Sequence, residues 1–182
     1  MVVNGKVLSG RDLTERLKQL SMVFPFNKND VFFNTLLSPW GIIYGTLLPI
    51  LNGAKVFLYS TAENYRAVPE WCYDCGATVI LGNNHLFENY AVAAHPYDFF
   101  AVKYAIAAGD KLSEQTYHLW LRKFGIRILE GYWDDNNAAL LAMNSPIYNR
   151  EGSLGCLLPG IDEGLASMAG LKVDEEGFVD LK

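Results

Sequence analysis

Hydrophobic positions along the chain follow two alternating periods. Short runs of β-branched and aromatic residues lie at 31–33, 55–59, 77–81, 102–106 and 126–129. Runs of this length and continuity predict strands buried on both faces. Segments with helical spacing separate them. The clearest is 114–124, where Tyr117, Trp120, Leu121 and Phe124 stand at i, i+3, i+4 and i+7 and form one apolar stripe. Ser113 supplies an N-cap and Gly125 a C-terminal stop, and Arg122 and Lys123 suit the negative end of the helix dipole. Ser9 with Asp12 three residues on resembles a capping box and opens a helix to about Met22. Residues 39–51 read as one strongly apolar helix that stops at Asn52-Gly53. Residues 65–75, with Pro69 in the first turn, and 84–94 are two more. Strands alternating with helices imply βαβ units and a mainly parallel, helix-covered sheet.

After Gly131 the pattern changes. Residues 138–143, 155–158, 171–173 and 178–181 read as short strands, with Asp174-Glu175-Glu176-Gly177 as a hairpin turn. The expected fold class is therefore α/β, in one domain: an α/β layer over 1–131 and a small β-rich tail over 132–182. The 182 residues are 51% hydrophobic and 19% charged, which excludes disorder and allows a real core. The net charge is -5 with no Lys/Arg cluster, so no nucleic-acid partner is expected. The longest apolar stretch, 41–51, is shorter than the ~20 residues that cross a bilayer. There is no signal-peptide pattern, and three cysteines make no disulfide framework, so a cytoplasmic setting is the expectation.

Four segments carry a resemblance. Lys103 to Leu112 (KYAIAAGDKL) looks like a strand and turn usually written Gly-Ala-Glu-x-Leu. Lys123 to Tyr132 (KFGIRILEGY) runs into the position of a Gly-Tyr-Gly-x-Thr-Glu motif. Gly152 to Gly160 (GSLGCLLPG) resembles Gly-(Thr/Ser)-Val-Gly-x-x-Leu-Pro-Gly. His95 to Phe99 (HPYDF) and Tyr65 to Glu70 (YRAVPE) complete the set. Together they resemble the AMP-forming acyl ligases. The branch they match is the acyl-acyl-carrier-protein synthetase part of bacterial 2-acylglycerophosphoethanolamine acyltransferase. The resemblance spans about 7–161, returns faintly at 173–181, and implies the large-domain fold of such a ligase.

The departures from that pattern bear on activity. The family's phosphate loop belongs just before Val7, and only Gly5 to Ser9 resemble its end. The resemblance implies that Tyr132 stacks on adenine, with Ala107, Ala108 and Gly109 in close backbone approach. The Thr that contacts the α-phosphate is replaced by Asp135, the Glu that holds magnesium by Asn136, and the second Gly by Trp133. The family's ribose-binding Thr-Gly-Asp segment is replaced by Asp162 to Gly170, and its C-terminal lysine-bearing domain has no counterpart. The family's acyl-pocket His, aromatic and Gly read Ser38-Pro39-Trp40-Gly41 here, so Trp40 and Gly41, with Gly82 and His85, are the acyl-pocket candidates. The expectation is a truncated, degenerate relative that does not adenylate alone, without a catalytic residue or resident cofactor. ATP or AMP and magnesium are implied only if the family activity survives. The alternatives are an acyl- or nucleotide-binding half completed by a partner chain, and a purely structural protein.

Each candidate also has a plain structural reading. Tyr132 equally suits a buried strand-end aromatic, and Ala107, Ala108 and Gly109 tight strand–helix packing. Asp134 and Asp135 read as a holder for a divalent cation or as a solvated turn, and no third ligand is evident. Cys72-Tyr73-Asp74-Cys75 falls late in a helix, where a redox motif would need the N-terminus, so structural cysteines are expected without a metal. His118 lies beside the apolar stripe of its helix, and His85 suits a helix start as well as a pocket. No nucleophile–histidine pattern supports a hydrolase. The nearly all-apolar helix at 39–51 makes a homodimer the expected partner state, with a fatty acyl group or a nucleotide as the expected ligand.

Overall fold

The computed structural model describes every residue except Asn4 and Lys182. Its elements, in chain order, are β1 (Val2–Val3), β2 (Lys6–Val7), α1 (Gly10–Val23), β3 (Val31–Asn34), α2 (Pro39–Ile42), a π-helical turn (Ile43–Leu47) and α3 (Leu48–Leu51). β4 (Lys55–Leu58), α4 (Ala67–Cys75), β5 (Val79–Gly82), α5 (Asn84–Ala93), β6 (Tyr104–Ala108) and α6 (Glu114–Phe124) follow. β7 (Ile128–Asp134), β8 (Ala139–Met143), β9 (Cys156–Leu157), α7 (Glu163–Met168), β10 (Leu171–Val173) and β11 (Val179–Leu181) complete the chain. Two compact units form: Phe26–Ile128, and Met1–Pro25 together with the segment from Leu129 onward.

The first unit holds the parallel sheet. β3 pairs with β4 on one side and β5 on the other, and β5 pairs with β6, all parallel. All four residues of β5 are buried, as expected for a strand with helices on both faces. The core gathers on Trp120, Phe87, Phe99 and Tyr90. Trp120 is fully buried and donates its indole N–H to the Phe87 carbonyl at 2.7 Å, so its one polar atom is satisfied. Ser113 caps α6 through the Thr116 N–H, and Gly125 closes it in the left-handed conformation. The buried face of α6 is centred on Thr116 and Trp120 rather than on the whole expected stripe, and Leu121 stays 36% exposed.

The expected single helix at 39–51 is a helical run interrupted by a π turn. Two causes act there. Pro49 has no N–H to give to the preceding turn. Gly41 and Gly45, four apart, seat the run directly on the end of β3, where a methyl on Gly45 would stand 2.5 Å from the Asn34 amide carbon.

The second unit is antiparallel: β7 pairs with β8, β8 with β9, and β10 with β11 as the hairpin expected at 171–181. Asp174 makes that hairpin turn by accepting the N–H groups of Glu176 and Phe178, both at 2.9 Å. α1 opens on the expected capping box, with Ser9 and Asp12 exchanging backbone bonds. α7 was not anticipated, although its signal was present: Asp162 caps it by accepting the Leu165 N–H at 2.8 Å. Its six residues are too few for a readable period.

Candidate functional site

The positions that the resemblance assigns to the nucleotide fall in two groups, one in each unit. In the parallel-sheet unit, Ala107 and Ala108 end β6, both buried, and Gly109 follows at φ +106 with nothing within 4 Å of a would-be Cβ. Only glycine adopts that φ without strain, so the strand ends in an open, bare-backbone turn.

The other unit holds Tyr132, Asp135 and Asn136. Gly131 precedes them, and β8 approaches so closely that a Cβ on Gly131 would stand 2.8 Å from the Ala142 carbonyl oxygen. The pairing register shifts between Tyr132 and Trp133. Such a bulge re-aims the side chains at a strand end. Tyr132 packs against the cluster around Leu141 and Leu171, and its hydroxyl donates to the Ala169 carbonyl at 3.2 Å. Burial pushes its phenol above the ordinary range.

The turn that follows is closed by its own side chains. Asp134, 4% exposed, accepts the Asn136 N–H at 2.9 Å on one oxygen and the Asn137 amide at 2.7 Å on the other. Asp135 accepts the Trp133 indole N–H at 2.8 Å. Lys6 donates to Asn137 at 3.0 Å, and the Arg16 guanidinium donates to the Ala138 carbonyl. Ala138 sits at φ +48, which a non-glycine residue adopts only where its surroundings enforce it. The turn is thus held on every side by named bonds.

The acyl-pocket candidates all lie in the parallel-sheet unit. Trp40 is 6% exposed, and a Cβ on Gly41 would meet Leu36. The ring of Phe87 lies 3.0 Å from a would-be Cβ on Gly82, so this glycine makes room for an aromatic ring. His85 is exposed and shares a 3.0 Å hydrogen bond with the Tyr65 hydroxyl. The parallel-sheet unit does contain an open cleft, lined by other residues.

Cys72 and Cys75 lie in the last turn of α4, as expected from the sequence, and both are free thiols. Burial raises the Cys72 thiol well above its usual range and also raises Cys75. Among the described residues, no group of three or more His, Cys, Asp or Glu is placed to hold a metal ion. With Cys75 and Cys156 replaced by Ser, the remaining Cys72 is expected to resist an aromatic disulfide reagent for many minutes in the native protein and to react at once in denaturant. Reaction within seconds without denaturant would contradict its burial.

Similarity to known proteins now bears on this geometry. A family model described as AMP-binding enzyme matches residues 5–176, and the chain belongs to that family. Solved structures agree on the fold. A malonyl-CoA ligase, in a ternary product complex with methylmalonyl-CoA and AMP bound, aligns at TM-score 0.78 and 17% identity over 97% of this chain and 48% of its own. A benzoate CoA ligase from Burkholderia xenovorans aligns at 0.70 and 21% over 90% of this chain and 34% of its own. A fatty acid AMP ligase from Legionella pneumophila aligns at 0.67 and 17% over 77% of this chain and 27% of its own. The chain therefore spans less than half the length of each of these proteins. Among the described residues, no helix is long and apolar enough to cross a membrane.

Proposed function

We propose that this chain is a degenerate member of the AMP-binding family, from its fatty-acyl branch, that does not form acyl adenylates by itself. The observation that supports this reading is the closed turn after Trp133. The resemblance puts the α-phosphate contact at Asp135 and the magnesium carboxylate at Asn136. A carboxylate 4 Å from a phosphate is repelled by roughly 4 kcal/mol at an effective dielectric of 20. Asn136 brings no charge to a magnesium ion, which prefers carboxylates. Asp134 does bring a charge, but both of its oxygens are engaged inside the turn. Tyr132 is held by Ala169 and by its own packing. The segments at 65–70 and 95–99 favour the acyl-acyl-carrier-protein synthetase branch as the origin of the chain.

The expected result is that the purified chain, with ATP, Mg²⁺ and saturated fatty acids of several lengths, releases no pyrophosphate above the protein-free rate. Sustained release proportional to protein concentration would refute the reading.

A further inference from the structure

An open cleft of about 430 Å³ lies within the parallel-sheet unit. It opens beyond the C-terminal ends of β3 and β4, whose last residues, Asn34 and Leu58, are paired in register. The volume is within the ~300–1,000 Å³ of small-molecule sites. Its third side is the helical run at its π turn, a feature that recurs at functional sites.

The cleft walls have a definite chemistry. Leu36, Leu37, Ile42 and Leu58 supply apolar surface. The polar lining residues are Asn34, Thr46, Tyr59 and Ser60; the Tyr59 hydroxyl accepts the Asn64 amide at 3.1 Å, and among the described residues no charged side chain lines the cleft. Asn34 is only 4% exposed, whereas Leu37 is 74% and Leu58 63% exposed. The buried end is therefore Asn34 with the half-buried Thr46 beside it, polar and neutral, while the mouth carries Leu37, Leu58 and the exposed Ser60. Asn34 donates to the Gly41 carbonyl at 3.0 Å and to the Thr46 hydroxyl oxygen at 3.1 Å, and it accepts the Leu36 N–H at 3.0 Å. These bonds fix the amide in place. They use the Thr46 oxygen as an acceptor, so its hydroxyl proton can be donated to a ligand.

A carboxylate or ammonium entering this end would lose its water and find no counter-charge, a cost far above that of a neutral polar group. An amide or alcohol can donate and accept, and so can satisfy hydroxyls that do both. We propose that this cleft binds a small uncharged molecule with an aliphatic body and one amide or hydroxyl group. The site needs no nucleotide and stands independently of the proposal on adenylation.

Calorimetric titration of the full chain at pH 7 with hexanamide, hexan-1-ol and hexanoate tests it. Hexanamide and hexan-1-ol are expected to bind and to compete with each other, and hexanoate to bind at least tenfold more weakly. Leu58→Asp and Leu37→Asp place a carboxylate at exposed mouth positions, so the melting temperature should hold while hexanamide affinity falls at least tenfold. Hexanoate binding as tightly as hexanamide would overturn the proposal. So would an absence of binding by all three probes, or wild-type affinity for hexanamide in both folded variants.

Discussion

Replacing Gly155 by alanine is expected to unfold the antiparallel unit, lowering stability by at least about 4 kcal/mol, whereas Gly152→Ala costs about 1 kcal/mol. The two glycines have nearly the same backbone, φ +83 and φ +79, so the left-handed strain on an alanine is the same. They differ in space. A methyl at Gly152 meets nothing within 4 Å, while one at Gly155 falls onto the backbone of Met143 and Asn144. That backbone has nowhere to move. The Asn144 N–H bonds the Glu130 carbonyl at 2.9 Å, and its side chain bonds the Glu130 and Ser153 carbonyls at 3.1 and 2.7 Å. Gly155 itself accepts the Val179 N–H at 2.7 Å, which ties β11 to this point. Urea unfolding of both variants checks the prediction. Equal losses would mean that strain alone, and not the close approach, decides the position.

Asp30→Ala should destabilise the protein by about 3 kcal/mol, with Asp30→Asn losing clearly less. The Asp30 side chain is 1% exposed, and the partner Lys103 is 52% exposed. One carboxylate oxygen accepts the Thr78 hydroxyl at 2.9 Å and the Lys103 ammonium at 3.1 Å, and the other accepts the Asn27 N–H at 2.9 Å. Thr78 in turn accepts the Val31 N–H at 2.9 Å. One buried acid thus joins the leading ends of β3, β5 and β6. Alanine removes this partner from the Thr78 hydroxyl and the Asn27 N–H beside a buried gap, and the loss of those bonds dominates the cost because Lys103 can turn to water. Asparagine keeps an acceptor oxygen for one group and so recovers part of it. A midpoint shift in urea with an unchanged slope is the expected reading. A shift of a few tenths of a kcal/mol would show that water replaces the carboxylate at little cost.

Much of the α/β fold was legible in the chain because its signals are local. The stop at Gly125, the capping box at Ser9 and the turn at Asp174 each lie within about four residues of the element they define. The parallel sheet followed from apolar runs alternating with helical periods, a pattern that few topologies satisfy. The candidate site was legible only as a set of substitutions at Trp133, Asp135 and Asn136. That Asp134 would spend both oxygens on Asn136 and Asn137 was written nearby, as an acid followed by two amides. That Tyr132 would be held by Ala169 was not, because 37 residues separate them.

The chain by itself determines where helices and strands begin and end, since caps, turns and periodicity act over one or two turns of backbone. Tertiary structure alone decides which glycines are indispensable, because Gly152 and Gly155 share one local conformation and differ only in what lies opposite. It also decides that residues 1–25 cluster with the segment after 129, and that the helix at 39–51 carries a π turn. It decides as well that Asn34 reaches from β3 into that turn to fix one end of a cleft. Each of these rests on atoms brought together across the fold. Close packing leaves no room for adjustment there, and no local propensity records it.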